Sequence, residues 1–123
     1  MQITTEELDY VELIAIKGRV DSVEATRLEE ALEAAHRRGK YKLVIDMSQL
    51  EYMSSAGFRA LAAAQKNSQR GNRGELVLTQ VPAQVREALE LVGFTDYFKI
   101  IDPPSAAVGY SQNPSPDISS SAA

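Results

Sequence analysis

The chain contains no cysteine and a single histidine among its 123 residues. The first absence excludes a disulfide framework, a thiolate metal site and a cysteine nucleophile. The second excludes an all-histidine metal centre. An excess of positive charge is also lacking: 13 Lys and Arg face 17 Asp and Glu, a net charge of −4. That balance repels phosphate backbones and anionic lipids, so neither nucleic acid nor a membrane surface is expected as a partner. No apolar run approaches the ~18 residues of a membrane span. The opening MQITTEELDY carries neither the basic nor the apolar region of a signal peptide. The reading is a cytoplasmic soluble domain. What is present agrees, since 44% apolar and 24% charged residues are ordinary for a globular protein. The length suits one domain that buries roughly two-thirds of its unfolded surface.

The composition changes near Asp102. Residues 103–123 hold four of the five prolines and six serines, with few large apolar side chains. A segment of that kind cannot offset its ordering entropy by burial. The expectation is one domain over residues 1–111 and a disordered Ser/Pro-rich tail over residues 112–123. A short last helix is expected over residues 105–110, with Ser105 as its N-cap.

Before Asp102 the pattern is that of strands followed by alternating units. Residues 2–7 and 11–17 are rich in β-branched and apolar types with Asp9-Tyr10 between them, which predicts a hairpin ended by Gly18. Ala25, Leu28, Leu32 and Ala35 then recur at spacings of three and four, one face of a helix over residues 22–38. Asp21 with Glu24 forms a capping pair at its start, and Gly39 stops it. Leu43-Val44-Ile45 is a continuous apolar run, the mark of a strand covered on both faces. A loop and a second helix to about Gln69 follow, with Gly57, Phe58, Leu61 and Ala64 on its apolar face. Gly71-Asn72-Arg73-Gly74 is a turn before the next strand, residues 75–79. Pro82 opens a third helix with Val85, Leu89 and Val92 inward, ended by Gly93. Residues 98–101 read as a last strand. The predicted order is ββαβαβαβ, an α/β domain with a mostly parallel central sheet and an N-terminal hairpin.

The chemistry concentrates in residues 46–57, DMSQLEYMSSAG. A buried strand ends at Asp46, and Ser54 and Ser55 stand at a helix start. Free N–H groups and a partial positive charge there would welcome a phosphate on serine. As plain caps the two serines need no further role, because serine is a leading N-cap residue. Asp21 reads first as the cap of the first helix, and otherwise as a carboxylate beside the serine loop. Asp46 reads as a turn former or as a neighbour of Ser55. Phe58 is either core or an outward interface anchor. His36 reads as a solvated residue favoured at a helix C-terminus. A hydrolase triad of Ser55, His36 and Asp46 would need His36 at the far end of its helix from the serines, and the Gly71 to Gly74 turn lacks the Gly-Lys-Ser/Thr of a phosphate loop. An enzyme or nucleotide-binding domain built on Asp21, Asp46 and Ser55 is thereby disfavoured.

The segment Asp46, Tyr52-Met53, Ser54-Ser55-Ala56-Gly57 resembles the signature of STAS domains, in particular the bacterial anti-anti-sigma factors, also called anti-sigma factor antagonists. Gly18-Arg19-Val20-Asp21 resembles the family's segment before the first helix. Val81-Pro82-Ala83-Gln84-Val85 with Leu91-Val92-Gly93-Phe94 resembles its third helix and following turn. The resemblance spans residues 1–102. It implies a binding module that is a kinase substrate and no enzyme, without catalytic residues, cofactor or metal. The implied partners are an anti-sigma factor that is also a serine kinase, whose sequestration releases a sigma factor, and a serine phosphatase that reverses the switch. The serine two residues before the signature glycine maps onto Ser55 as the phosphoacceptor. Many members carry Asp immediately before it where this chain has Ser54, which makes Ser54 the second acceptor candidate. The implied partner surface is Asp21, Ser54, Ser55, Ala56, Gly57 and Phe58, on a domain that is a monomer when free. The alternative within the fold is an adaptor that regulates a non-sigma partner, such as another kinase, a phosphatase or a transport complex, by the same surface.

Overall fold

The computed structural model describes residues 1–112. Strands β1 (Gln2–Leu8) and β2 (Val11–Val20) form the expected antiparallel hairpin. Helix α1 (Ser22–Arg37), strands β3 (Lys42–Asp46) and β4 (Leu50–Met53), and helix α2 (Ser55–Gln69) follow. Strand β5 (Leu76–Thr79), helix α3 (Ala83–Leu91), strand β6 (Lys99–Ile100) and helix α4 (Pro104–Gln112) complete the described chain. The sheet runs β1-β2-β3-β5-β6, with β4 paired to β2. Every pairing except β1 with β2 is parallel. The α/β class and the mostly parallel sheet are those expected from the sequence.

The apolar triplets are explained by the two layers around the sheet. Leu43, Ile45, Leu76 and Leu78 join a core with Leu28, Leu32, Leu61, Val85 and Leu89 of the helices. Val44 and Val77 point the other way and meet Val11 and Ala107 of α4. Alternate side chains of one strand therefore enter two cores, and no position is left for a polar residue. Parallel strands also end together. The C-terminal ends of β2 and β4 and the N-termini of α1 and α2 all lie at one end of the sheet.

The structure corrects several details. Gly18 does not end β2. It takes a φ of +95° at a bulge where the pairing shifts register, and the strand continues to Val20. That extension receives β4 in place of the expected loop, and the order becomes ββαββαβαβα. Four residues with Leu50 and Met53 buried and Glu51 and Tyr52 exposed carry too short a pattern to read as a strand. Helix α4 starts at Pro104, so Ser105 sits in its first turn and is not its cap. The Pro103 carbonyl accepts from Ala106 and Ala107 at 2.9 and 3.1 Å. Gln112 belongs to α4 and donates to the Leu8 carbonyl at 3.3 Å; the rest of the tail expected over residues 112–123 lies outside the described residues. The last strand shortens to Lys99–Ile100, and Val92 follows the end of α3 as its exposed C-cap. His36 is buried, because α2 packs across the end of α1 and covers it.

Candidate functional site

The two helix starts are built alike. Val20 ends β2, Met53 ends β4, and the two are register partners. One residue later the chains leave the sheet at Asp21 and Ser54, both with extended backbone. Asp21 Oδ1 accepts the Glu24 N–H at 2.8 Å and caps α1. Ser54 Oγ accepts the Gly57 N–H at 3.3 Å and caps α2. The Ser54 N–H donates to the Val20 carbonyl at 2.8 Å and ties the two starts together. The site is thus a pair of adjacent helix N-termini held by the strands that feed them.

This geometry separates the two serines. The Ser54 hydroxyl is half-buried and engaged as a cap. Ser55 is the first residue of α2 and is exposed, and its hydroxyl has no hydrogen bond among the described residues. The first turn of α2 carries no acidic side chain, whereas that of α1 carries Glu24. The partial positive charge at the start of α2 is therefore not neutralised within its own first turn, and an added anion on Ser55 would gain from it.

The other expected site residues divide. Asp21 is exposed beside the serines, with one carboxylate oxygen occupied by the cap. Ala56 is half-buried against the main core. Gly57 and Phe58 do not line a surface. Phe58 is 1% exposed and fills the core under α2, whereas Ser55, at the first position of the helix, is exposed. Gly57 is where α2 lies closest to the sheet: a Cβ there would stand 2.6 Å from Met53 Cγ and 3.2 Å from Val20 Cγ1. Gly57→Ala is expected to cost about 1–3 kcal/mol, because Met53 must leave its buried place; a thermal melt equal to that of the wild type would show that Met53 yields freely. Asp46 Oδ1 accepts the Ser48 N–H at 2.9 Å, so Asp46 shapes the turn after β3. The triad is excluded by the position of His36 at the other end of α1.

Two exposed side chains at the site lie outside the partner surface expected from the sequence. Val23, in the first turn of α1, is 77% exposed. Tyr52 is 41% exposed, and the Arg19 guanidinium lies 4.6 Å from its ring centroid. Both flank the paired caps, and exposed apolar groups of this size are the kind that anchor interfaces. The signal available in the sequence was their position, two residues from Asp21 and from Ser54.

Comparison with known proteins bears on the family and the fold. The family model described as "Mlab, STAS domain" matches residues 3–102. BtrV of Bordetella bronchiseptica, named as an anti-sigma factor antagonist, is 35% identical over 107 residues, 87% of this chain and 91% of that protein. The crystal structure of an anti-sigma factor antagonist from Mycobacterium paratuberculosis superposes with a TM-score of 0.79 at 25% identity, covering 91% of this chain and 94% of that one. The Bacillus cell fate determinant SpoIIAA, solved in its phosphorylated form, shares the fold at a TM-score of 0.67 and 14% identity, covering 89% and 99%.

Proposed function

The chain belongs to the STAS domain family, and from that premise we propose that it is an anti-sigma factor antagonist switched by phosphorylation at Ser55. It docks on an anti-sigma factor and thereby frees a sigma factor. It is a regulatory binding protein and no enzyme: its own residues present a surface and a hydroxyl, and the anti-sigma factor supplies the kinase chemistry. That kinase moves the γ-phosphoryl group of ATP to Ser55 Oγ, forming a new P–O bond as ADP leaves and the hydroxyl proton is lost. A serine phosphatase hydrolyses the ester. Its place of work is the cytoplasm, where sigma factors act, and it is a monomer between encounters.

The observation that carries the reading is the contrast between the serines: Ser54 is spent as a cap, while Ser55 is exposed and its hydroxyl has no hydrogen bond among the described residues. The phosphate adds roughly −1.5 to −2 charges. In the free domain the start of α2 and bulk water tolerate that charge. In a complex it lies in a desolvated contact beside the Asp21 carboxylate, where the like charge disfavours docking. The domain therefore stays folded in both states, and only its affinity changes.

The test is to incubate wild type, Ser55→Ala and Ser54→Ala with the cognate anti-sigma kinase and ATP and to map the phosphate by mass spectrometry. Wild type is expected to carry it on Ser55. Ser55→Ala should remain unlabelled and bound to the kinase. Ser54→Ala should still be labelled at Ser55, while losing about 0.5–2 kcal/mol of stability with its cap. Phosphate on Ser54 would overturn the assignment. No phosphate on any variant, with a stable complex, would favour a kinase-independent adaptor.

A further inference from the structure

At the end of the domain opposite Ser55, the C-terminal turns of α1 and α2 meet around the chain's one histidine. His36 is 6% exposed. Its Nε2 lies 2.9 Å from Ser68 Oγ, and its Nδ1 lies 2.9 Å from Asn67 Nδ2. The Tyr41 ring stacks on the imidazole with centroids 5.2 Å apart. Arg73 closes the cluster: its guanidinium covers Tyr41 at 3.9 Å and donates at 2.7 Å to both Asn67 Oδ1 and the Asn67 carbonyl.

The directions of these bonds are forced. A guanidinium only donates, so Asn67 must turn Oδ1 toward Arg73. Its NH2 then faces His36, and Nδ1 must accept. An accepting Nδ1 carries no proton, so the imidazole is the neutral Nε2–H tautomer and donates to Ser68 Oγ. The serine hydroxyl could adapt to either tautomer; Asn67 cannot. Protonating Nδ1 would set two donors against each other, and rotating the amide to relieve them would turn its NH2 onto Arg73.

We propose that His36, Asn67 and Arg73 form an acid-sensitive latch between α1 and α2, closed by neutral His36 and opened when Nδ1 takes a proton. The charges around it mostly agree. Arg37 stands beside it on α1 and Lys66 and Arg70 near the end of α2, but the cation that opposes a charge on the ring is Arg73. Glu33 favours one, but is exposed and within 4.0 Å of Arg37. Arg38 is engaged by the buried Glu12. Burial first, and Arg73 second, lower the His36 pKa from its ordinary 6.5, with Glu33 opposing. Above the ordinary value His36 is neutral in both the folded and the unfolded chain, and it adds no dependence of stability on pH. Below it the unfolded chain binds a proton that the folded chain refuses. The folding equilibrium constant then falls by up to about tenfold per pH unit, until the lowered pKa is passed.

Because His36 is the only histidine, imidazole NMR of the full chain reports it without ambiguity. A titration between about pH 8 and pH 5 should show the Nε2–H tautomer and a midpoint below that of free histidine. The backbone amides of Tyr41 and of Asn67 to Arg73 should shift and lose exchange protection with the same midpoint. Asn67→Asp replaces the opposing donor with an acceptor, so it should raise the midpoint above the free value and remove the acid-induced loss of stability. Arg73→Met frees the Asn67 amide to rotate and should raise the midpoint while mixing the two tautomers at high pH. The proposal fails if the wild type shows the Nδ1–H tautomer or a midpoint at or above the free value. It also fails if the wild-type amides stay protected through the titration, or if Arg73→Met raises the midpoint without altering the tautomer, because Arg73 would then act by charge alone.

Discussion

Ser55→Asp is expected to keep the fold and to weaken binding to the anti-sigma factor by about 3 kcal/mol, on the order of a hundredfold. The position tolerates the charge in the free domain. Ser55 is exposed, is not the α2 cap, and lies in a first turn without acidic residues. Aspartate in the first turn of a helix is mildly favourable, so the melting temperature should stay level or rise slightly. In the complex the same carboxylate is desolvated with Asp21 on the neighbouring helix start, and an uncompensated interfacial charge costs several kcal/mol. Titration calorimetry against the partner, beside a thermal melt of each variant, separates the two effects. Wild-type affinity in a folded Ser55→Asp protein would remove Ser55 from the interface. Ser55→Asn provides the control, since it adds similar bulk without charge and should lose much less.

Leu32→Ala is expected to cost about 2–5 kcal/mol of unfolding free energy. Leu32 is 1% exposed and sits in the middle of α1, in one core with Leu28, Ala35, Leu43 and Leu61. The substitution removes buried methyl groups and leaves a cavity. The layer above is a helix already packed on α2 and on the sheet, so it cannot collapse fully into the space. That is a large share of the stability of a domain this size. Urea denaturation measures it directly, and a cost below about 0.5 kcal/mol would be that of a surface position.

The parts of the fold that were legible are those written in a few consecutive residues. Leu28 and Leu32 announced the inner face of α1, and both are buried. Asp21 with Glu24 announced the cap, which forms at 2.8 Å. Leu43-Val44-Ile45 announced a strand covered on both sides. The family motif around Ser54 and Ser55 names residues at the start of α2, beside the start of α1. It could not distinguish the serines by role, because both are cap-type residues and only the bond from the Gly57 N–H to Ser54 Oγ separates them.

What the sequence by itself determined is therefore the class of fold, the order of most elements and the core. Periodicity, capping and turn chemistry act within one or two turns of chain and need no distant partner. Only the tertiary structure decided the rest. Strand β4 exists because β2 continues past a bulge at Gly18 and offers it an edge about thirty residues away along the chain. His36, whose place at a helix end suggested a solvated residue, is instead enclosed by Asn67 and Ser68, separated from it by 31 and 32 residues. The proton state of that ring and the division of labour between Ser54 and Ser55 both depend on which donor faces which acceptor. Hydrogen-bond partners are chosen by packing, and packing brings together residues that no local pattern connects.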